Sequence, residues 1–238
     1  MNQPQLITFI LGPLAGYLLG SIPFAFFIGK AHGVDIRKVG SGNVGATNLG
    51  RTLGMKYFWQ AFILDGLKGF VPVFVMSLYV AKVNSVFYVM PPSWYPLGTW
   101  TPLLSGAAAM VGHVFPVWLK FRGGKGVSTA FGLVLGLWPL YTIAGIFCGL
   151  LFVLVFFAYR YISVASISSA IVFPLLVLFL GTRENVPLIS PLLYTPPEQL
   201  YPLVYIGLAF AALIVIKHRS NIARLIKGTE PKFGQKKP

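Results

Sequence analysis

The sequence predicts an all-α protein: a polytopic membrane helical bundle of about seven transmembrane helices, a single domain over 1–238. Three observations carry that expectation. The 238-residue chain is 56% hydrophobic and 10% charged, where a soluble domain carries roughly 25% charged residues, and its mean hydropathy is +0.75. Several of its apolar runs reach the roughly 20 residues that a helix needs to cross the hydrocarbon layer. Its positive charge collects between those runs, with most of the 19 Lys and Arg in or beside 37–51, 120–127 and 217–232.

Residues 6–29 form the first expected crossing. The opening MNQPQLITFILG has no basic start and stays apolar too long for a cleaved leader, so a retained span is expected. The second crossing, 55–81, contains Asp65 and Lys68. At i, i+3 they share a helix face, and because each alone is costly in hydrocarbon, an ion pair inside the bundle is expected. Residues 82–100 read as a Pro-rich aromatic loop and 101–119 as the third crossing. The stretch 127–181 exceeds two straight spans, and Trp138-Pro139 interrupts it early. It divides into a short helix near 127–138, a span near 140–158, a turn at 159–161 and a span near 162–181. A Pro-rich loop at 182–199 leads to the last crossing, 200–216.

Charge orients this arrangement. With seven crossings, the loops at 30–54, 120–126, 159–161 and 217–238 share one side, and the opposite loops hold only Lys82 and Arg183. The positive-inside rule then puts the basic loops in the cytoplasm and the N-terminus outside.

A net charge of +14 in a soluble chain would point to nucleic acid. Here the membrane orientation accounts for most of it, and membrane lipids or an anionic substrate for the rest, so no nucleic-acid partner is expected. The lone Cys148 excludes a disulfide framework. Three separated histidines and five carboxylates show no metal-ligand spacing, so neither metal nor cofactor is expected.

The basic loops carry the chemistry. Residues 40–45, GSGNVG, match G-x-G-x-x-G, but a membrane span precedes them where a dinucleotide fold needs a strand, so the Rossmann reading fails. The longer run Ser41 to Arg51 holds Gly42, Asn43, Gly45, Thr47 and Asn48. Its competitor is a flexible connector, which requires neither paired asparagines nor a closing arginine. Residues 121–126, FRGGKG, lack the P-loop spacing, with Gly126 in the Ser/Thr place. Gly123, Gly124 and Gly126 nevertheless suit close approach to an oxyanion, with Lys125 as a point charge; a basic interfacial anchor is the alternative. At helical spacing His218 and Asn221 share a face, and His218 reads as base, orienter or phosphate donor, against a plain helix-end histidine. His113 is expected to support the site from behind and His32 to lie at the interface. Ser163 and Ser166 either cap their helix or donate to a substrate.

Together these loops closely resemble the acyl-phosphate:glycerol-3-phosphate acyltransferase family of bacterial membranes, the PlsY type. The resemblance rests on SGNVGATN at 41–48 with Arg51, GHVFPVWLKFRGGKGV at 112–127 and HRSNIARLIKGTE at 218–230, with LDGLKG at 64–69 in support. It implies a multi-span inner-membrane enzyme that moves an acyl group from acyl phosphate to the 1-hydroxyl of glycerol 3-phosphate, giving lysophosphatidic acid. Acyl-CoA is not used. The resemblance further implies catalytic roles for Ser41, Arg51, Lys125, His218 and Asn221, and glycerol 3-phosphate binding by Gly123, Gly124 and Gly126. Glu230 falls in a more structural part. Contact with the enzyme that makes the acyl phosphate is an expected partnership. The loops 82–100 and 182–199 look longer than the family's usual connections.

An acyl phosphate already carries a good leaving group, so the enzyme's task is to gather two anions and align a hydroxyl with a carbonyl. The hydroxyl proton goes either to His218 or to a substrate phosphate oxygen, the second being favoured. A transporter of a phosphorylated metabolite is the rival reading, and it needs a polar trail through the spans of which only Asp65 and Lys68 are visible.

Overall fold

The computed structural model describes residues 7–83, 100–184 and 190–234, and every regular element among them is helical. Of the expected long loops, 82–100 lies mostly outside the described residues, whereas 182–199 is described except for 185–189 and contains the short helix Ser190–Leu193 and the start of the helix Pro197–Lys217. Two compact units divide the chain, Met1–Leu137 and Trp138–Pro238.

In the first unit a π-helical turn, Ile7–Leu11, leads into α1 (Gly12–Ser21) and α2 (Phe24–Ala31). These two make up the expected first crossing, broken at Ile22-Pro23. Proline offers no N–H and pushes its predecessor out of the helical region; Ile22 is accordingly extended, at φ −63° and ψ 115°. The basic loop follows, then α3 (Ala46–Leu53), α4 (Met55–Val83), α5 (Trp100–Val114), a 3₁₀ turn (Val117–Leu119) and α6 (Val127–Gly136).

Small residues set the packing of this unit. Gly12, Gly16 and Gly20 line one face of α1 against α5, where a Cβ on Gly16 or Gly20 would overlap the carbonyl oxygens of Ser105 and Ala109. Between helices in lipid, such close backbone approach replaces the hydrophobic drive available in water. α4 meets α6 the same way: a Cβ on Gly69 would strike the carbonyl of Thr129, and one on Gly132 the carbonyl of Gly66.

Six helical stretches among the described residues are long and apolar enough to cross a membrane: 9–31, 55–80, 100–119, 140–159, 162–181 and 197–217. The remaining predicted crossing is α6. Its ten residues reach only about 15 Å, half the hydrocarbon thickness. Thr129, Gly132, Leu133 and Val134 on α6 are buried, so protein covers the face that meets α4.

The second unit holds α7 (Leu140–Tyr159), α8 (Ile162–Gly181), the short α9 (Ser190–Leu193), α10 (Pro197–Lys217) and α11 (Arg219–Ile226). The expected turn at 159–161 is present, with Arg160 left-handed at φ 61° between α7 and α8. α8 packs on both α7 and α10. Buried polar groups tie these helices together: the Tyr141 hydroxyl donates to the Leu203 carbonyl at 2.6 Å, and the Ser169 hydroxyl to the Cys148 carbonyl at 3.0 Å.

Candidate active site

The first basic loop is folded around its own asparagine. Asn48 is 1% exposed; its Nδ2 donates to the carbonyls of Ile36 (2.8 Å) and Val39 (3.1 Å), and its Oδ1 accepts the Ser41 N–H at 2.9 Å. Apolar side chains seat the loop from below, with Ile36, Val44 and Leu49 in one buried cluster with Ala25 and Ala61. Gly40 and Gly42 turn the chain at φ 60° and 70°, a region costly for residues with a Cβ. Ser41 stays exposed at the tip, its Oγ accepting the Asn43 N–H at 3.4 Å. Gly45 precedes α3, whose first turn contains the half-buried Thr47, and Arg51 is exposed one helical turn later. A helix start, whose first N–H groups suit an anion, and a cation on the same short helix thus follow the serine in the chain.

Arg37, also in this loop, is engaged elsewhere. Its Nη2 lies 2.7 Å from Asp35, and its guanidinium lies 4.6 Å from the centre of the Phe26 ring. The hydrogen bond from Arg37 holds the Asp35 carboxyl well below the usual carboxylate range. This pair is internally neutral.

The glycine-rich loop returns from α5 to α6. Gly123 N–H donates to the Val114 carbonyl (3.2 Å) and Gly124 N–H to the His113 carbonyl (3.1 Å). Two backbone donors expected to face an oxyanion therefore clamp the loop to the end of α5. What these glycines provide is closeness: a Cβ on Gly124 would overlap the His113 ring at Nε2 and lie 2.8 Å from the Val44 carbonyl. The first two basic loops consequently meet at Val44 and Gly124. Gly126 is left-handed at φ 84° and opens α6, and Lys125 beside it is half-buried.

In the second unit the centre is Glu230, 6% exposed. Its Oε1 accepts from Asn221 Nδ2 at 2.6 Å and Ser163 Oγ at 3.0 Å, and its Oε2 from Arg224 Nε at 2.6 Å. Burial opposes the carboxylate's charge, but hydrogen bonds from Asn221, Arg224 and Ser163 outweigh it and hold Glu230 below the usual range. Ser163 is thus neither the cap of α8, which is Tyr161, nor on the surface; it braces Glu230. Ser166 bonds back to the Ile162 carbonyl at 2.8 Å. His218, 2% exposed, stands between α10 and α11 with Nδ1 2.8 Å from the Ile214 carbonyl. A carbonyl only accepts, so Nδ1 carries a proton, and Nε2 accepts when the ring is neutral and donates when it is charged. Asn221 follows one turn later, its N–H on the His218 carbonyl at 2.8 Å.

The model of the family described as glycerol-3-phosphate acyltransferase matches residues 10–228, which contain all of these groups except Glu230. The chain belongs to that family.

Relatives named glycerol-3-phosphate acyltransferase include those of Trichlorobacter lovleyi, 42% identical over 217 residues (91% of this chain, 93% of the relative), and of Aquifex aeolicus, 38% identical over 217 residues (91% and 95%). Among solved structures the chain resembles PlsY (YgiH), described as an integral membrane glycerol 3-phosphate acyltransferase. Its glycerol 3-phosphate form superposes with a TM-score of 0.74 and its lysophosphatidic acid form with 0.72, each at 36% identity over 94% of this chain and 95% of that one. Membership of an integral membrane family agrees with the six apolar helices, and the protein is a multi-pass membrane protein.

Sequence reasoning found the residues of all three loops but not the wiring within them. Asn48 is a brace, not an open polar end, and Glu230 is the hub to which Asn221 and Ser163 attach. A buried carboxylate six residues after an arginine, in a chain with five acidic residues, was the one available signal. Among the described residues no group of three or more His, Cys, Asp or Glu is placed to hold a metal ion.

Proposed function

We propose that this glycerol-3-phosphate acyltransferase takes its acyl group from an acyl phosphate and delivers it to the 1-hydroxyl of glycerol 3-phosphate, giving lysophosphatidic acid. The observation that carries the reading is the likeness along nearly the whole chain to an integral membrane enzyme whose two structures are described by substrate and by product. The hydroxyl oxygen attacks the acyl carbonyl, the carbon–oxygen bond to phosphate breaks, and the hydroxyl proton ends on the departing phosphate. One ester forms as one mixed anhydride is lost, with no oxidant or further reactant.

In this scheme Ser41, Gly42, Asn43, Gly45, Thr47 and the start of α3 form one anion seat with Arg51. Lys125 supplies a second cation, and the Gly123–Gly126 turn fixes its height. Asn48 acts by shaping the seat. Asn221 and the charged ring of His218, whose Nε2 then carries a proton, donate to substrate oxygens, and Ser163 acts through Glu230. The electrostatic alignment of two anions contributes more than a strong base would, because the leaving group is already activated.

Purified protein with palmitoyl phosphate and labelled glycerol 3-phosphate is expected to produce labelled lysophosphatidic acid. Palmitoyl-CoA in place of the acyl phosphate is expected to produce none, since none of His32, His113 or His218 has an aspartate five residues on, the H-x-x-x-x-D arrangement of the other large acyltransferase family. Robust turnover of the CoA ester by pure protein would overturn the donor assignment.

The basic loops are proposed to face the cytoplasm at a bacterial inner membrane, with the N-terminus outside and with access to the enzyme that supplies acyl phosphate. What supports this is the crowding of most Lys and Arg into one set of loops, with only Lys82 and Arg183 in the others. Reporters fused after residues 126 and 232 should both read cytoplasmic and one near residue 92 external; opposite readings from the first two would refute the orientation.

A further inference from the structure

Asp65, Lys68 and His113 form a buried polar cluster within the first unit, 2%, 3% and 7% exposed, and the acyl transfer as drawn uses none of them. Asp65 Oδ1 lies 2.9 Å from Lys68 Nζ and 3.7 Å from His113 Nδ1. Lys68 also donates to the Ile22 carbonyl at 2.9 Å. That oxygen sits at the Pro23 break, where the N–H that would normally reach it, of Phe26, bonds instead to the Pro23 carbonyl. Lys68 thus shares this carbonyl at the helix break with the Phe24 N–H, which reaches it at 3.1 Å. On the other side, His113 bears on the glycine-rich turn twice: its carbonyl accepts the Gly124 N–H, and its ring Nε2 faces the Gly124 α-carbon. A narrow cleft opens beside the three residues, bounded by Phe24, Val44 and Gly124.

We propose that Asp65, Lys68 and His113 are a positioning device for acyl transfer, in which the ion pair holds the His113 ring and that ring sets the height of Gly124 and Lys125 against Val44. The inference rests on the reading of that turn as part of the glycerol 3-phosphate seat. An ion pair that merely filled the bundle interior would need no third member, and an apolar replacement of similar volume would serve as well. A device that orients an imidazole depends on a polar group at the Nδ1 position. These two roles rank substitutions in opposite order.

The test uses His113→Leu, His113→Asn and the double variant Asp65→Asn/Lys68→Met in purified full-length protein. Asparagine keeps a donor near the place of Nδ1, whereas leucine keeps only apolar bulk. His113→Leu is expected to raise KM for glycerol 3-phosphate about tenfold or more while kcat falls less than about threefold, the pattern of weakened binding. His113→Asn should recover most of that affinity, and the double variant, which removes both charges together, should resemble His113→Leu. Amide hydrogen exchange in the peptide containing Gly123 and Gly124 should quicken in His113→Leu and stay near wild type in His113→Asn. A wild-type KM in the leucine or double variant, or a leucine variant better than the asparagine one, would overturn the device. Lysophosphatidic acid formation by wild type, measured alongside, tests the acyltransfer reading separately. If wild type forms none, that reading fails and the claimed effect on glycerol 3-phosphate with it, and the exchange rates alone decide whether His113 anchors the turn.

Discussion

Replacing Glu230 with alanine is expected to cost both stability and catalysis, more than any other single change at a residue not proposed to touch substrate. The carboxylate accepts from Asn221, Ser163 and Arg224 at 2.6, 3.0 and 2.6 Å, and its removal leaves three donors without their acceptor. Stripping one partner from a buried ion pair costs about 3–5 kcal/mol. Arg224 is 34% exposed, and water screening places the loss near the lower end, about 3 kcal/mol. Asn221 would also lose the contact that fixes its amide, and a misplaced polar group at a reacting centre costs on the order of 100-fold in rate. Glu230→Gln keeps shape and one accepting oxygen and should fall between. Thermal unfolding of the detergent-solubilised variants together with acyl-transfer rates checks this, and an alanine variant equal to wild type in both would refute the hub.

The same group gives a pH dependence of defined sign. The folded-state pKa of Glu230 lies below its ordinary value of 4.5. Its contribution is therefore fully present above about pH 4.5 and declines as pH falls toward and through the folded value. Wild type should lose this increment of stability in acid, and Glu230→Gln should lack that part of the acid dependence.

His218 is expected to separate two schemes by a wide margin. If it were the general base, His218→Ala and His218→Gln would both abolish turnover, and the kcat–pH profile would lose its limb near the ordinary histidine value of about 6.5. If a substrate phosphate takes the proton, His218 serves as a donor. Alanine should then lower kcat about 10²–10³-fold, the usual effect of removing one preorganised donor, and glutamine, whose amide reaches the place of Nε2, only about tenfold. The second pattern is expected. Lys217 and Arg219 adjoin His218 in the chain, and such charge favours gathering anions over abstracting a proton. Equal and complete inactivation by both changes in correctly inserted protein would establish His218 as the base.

Much of the architecture was legible in the chain because membrane spans obey a one-dimensional rule: about 20 apolar residues per crossing, with charge left outside. The breaks at 159–161 and at Trp138-Pro139 were readable for local reasons, since a charged aromatic turn and a proline both interrupt apolar helix. The Asp65–Lys68 pair followed from helical spacing and the cost of a lone charge in lipid, and it closes at 2.9 Å. The break at Ile22-Pro23 was missed, because hydropathy registers the run 9–31 as continuous while the backbone does not. α6 was anticipated as short, but only its packing on α4 through Gly66, Gly69 and Gly132 accounts for a ten-residue helix in this setting.

For the site, the sequence by itself nominated the candidate residues, since glycine, serine, asparagine, lysine and arginine crowd into three loops of an otherwise apolar chain. The tertiary structure alone decided how those residues are bonded and buried. Donors and acceptors far apart in sequence pair only after folding, as Glu230 does with Ser163 across 67 residues. A glycine's value can likewise lie in what its missing Cβ would strike, and for Gly124 that is the ring of His113. Composition reports which groups are available, whereas direction, distance and burial determine which of them remain to meet a substrate and which hold the others in place.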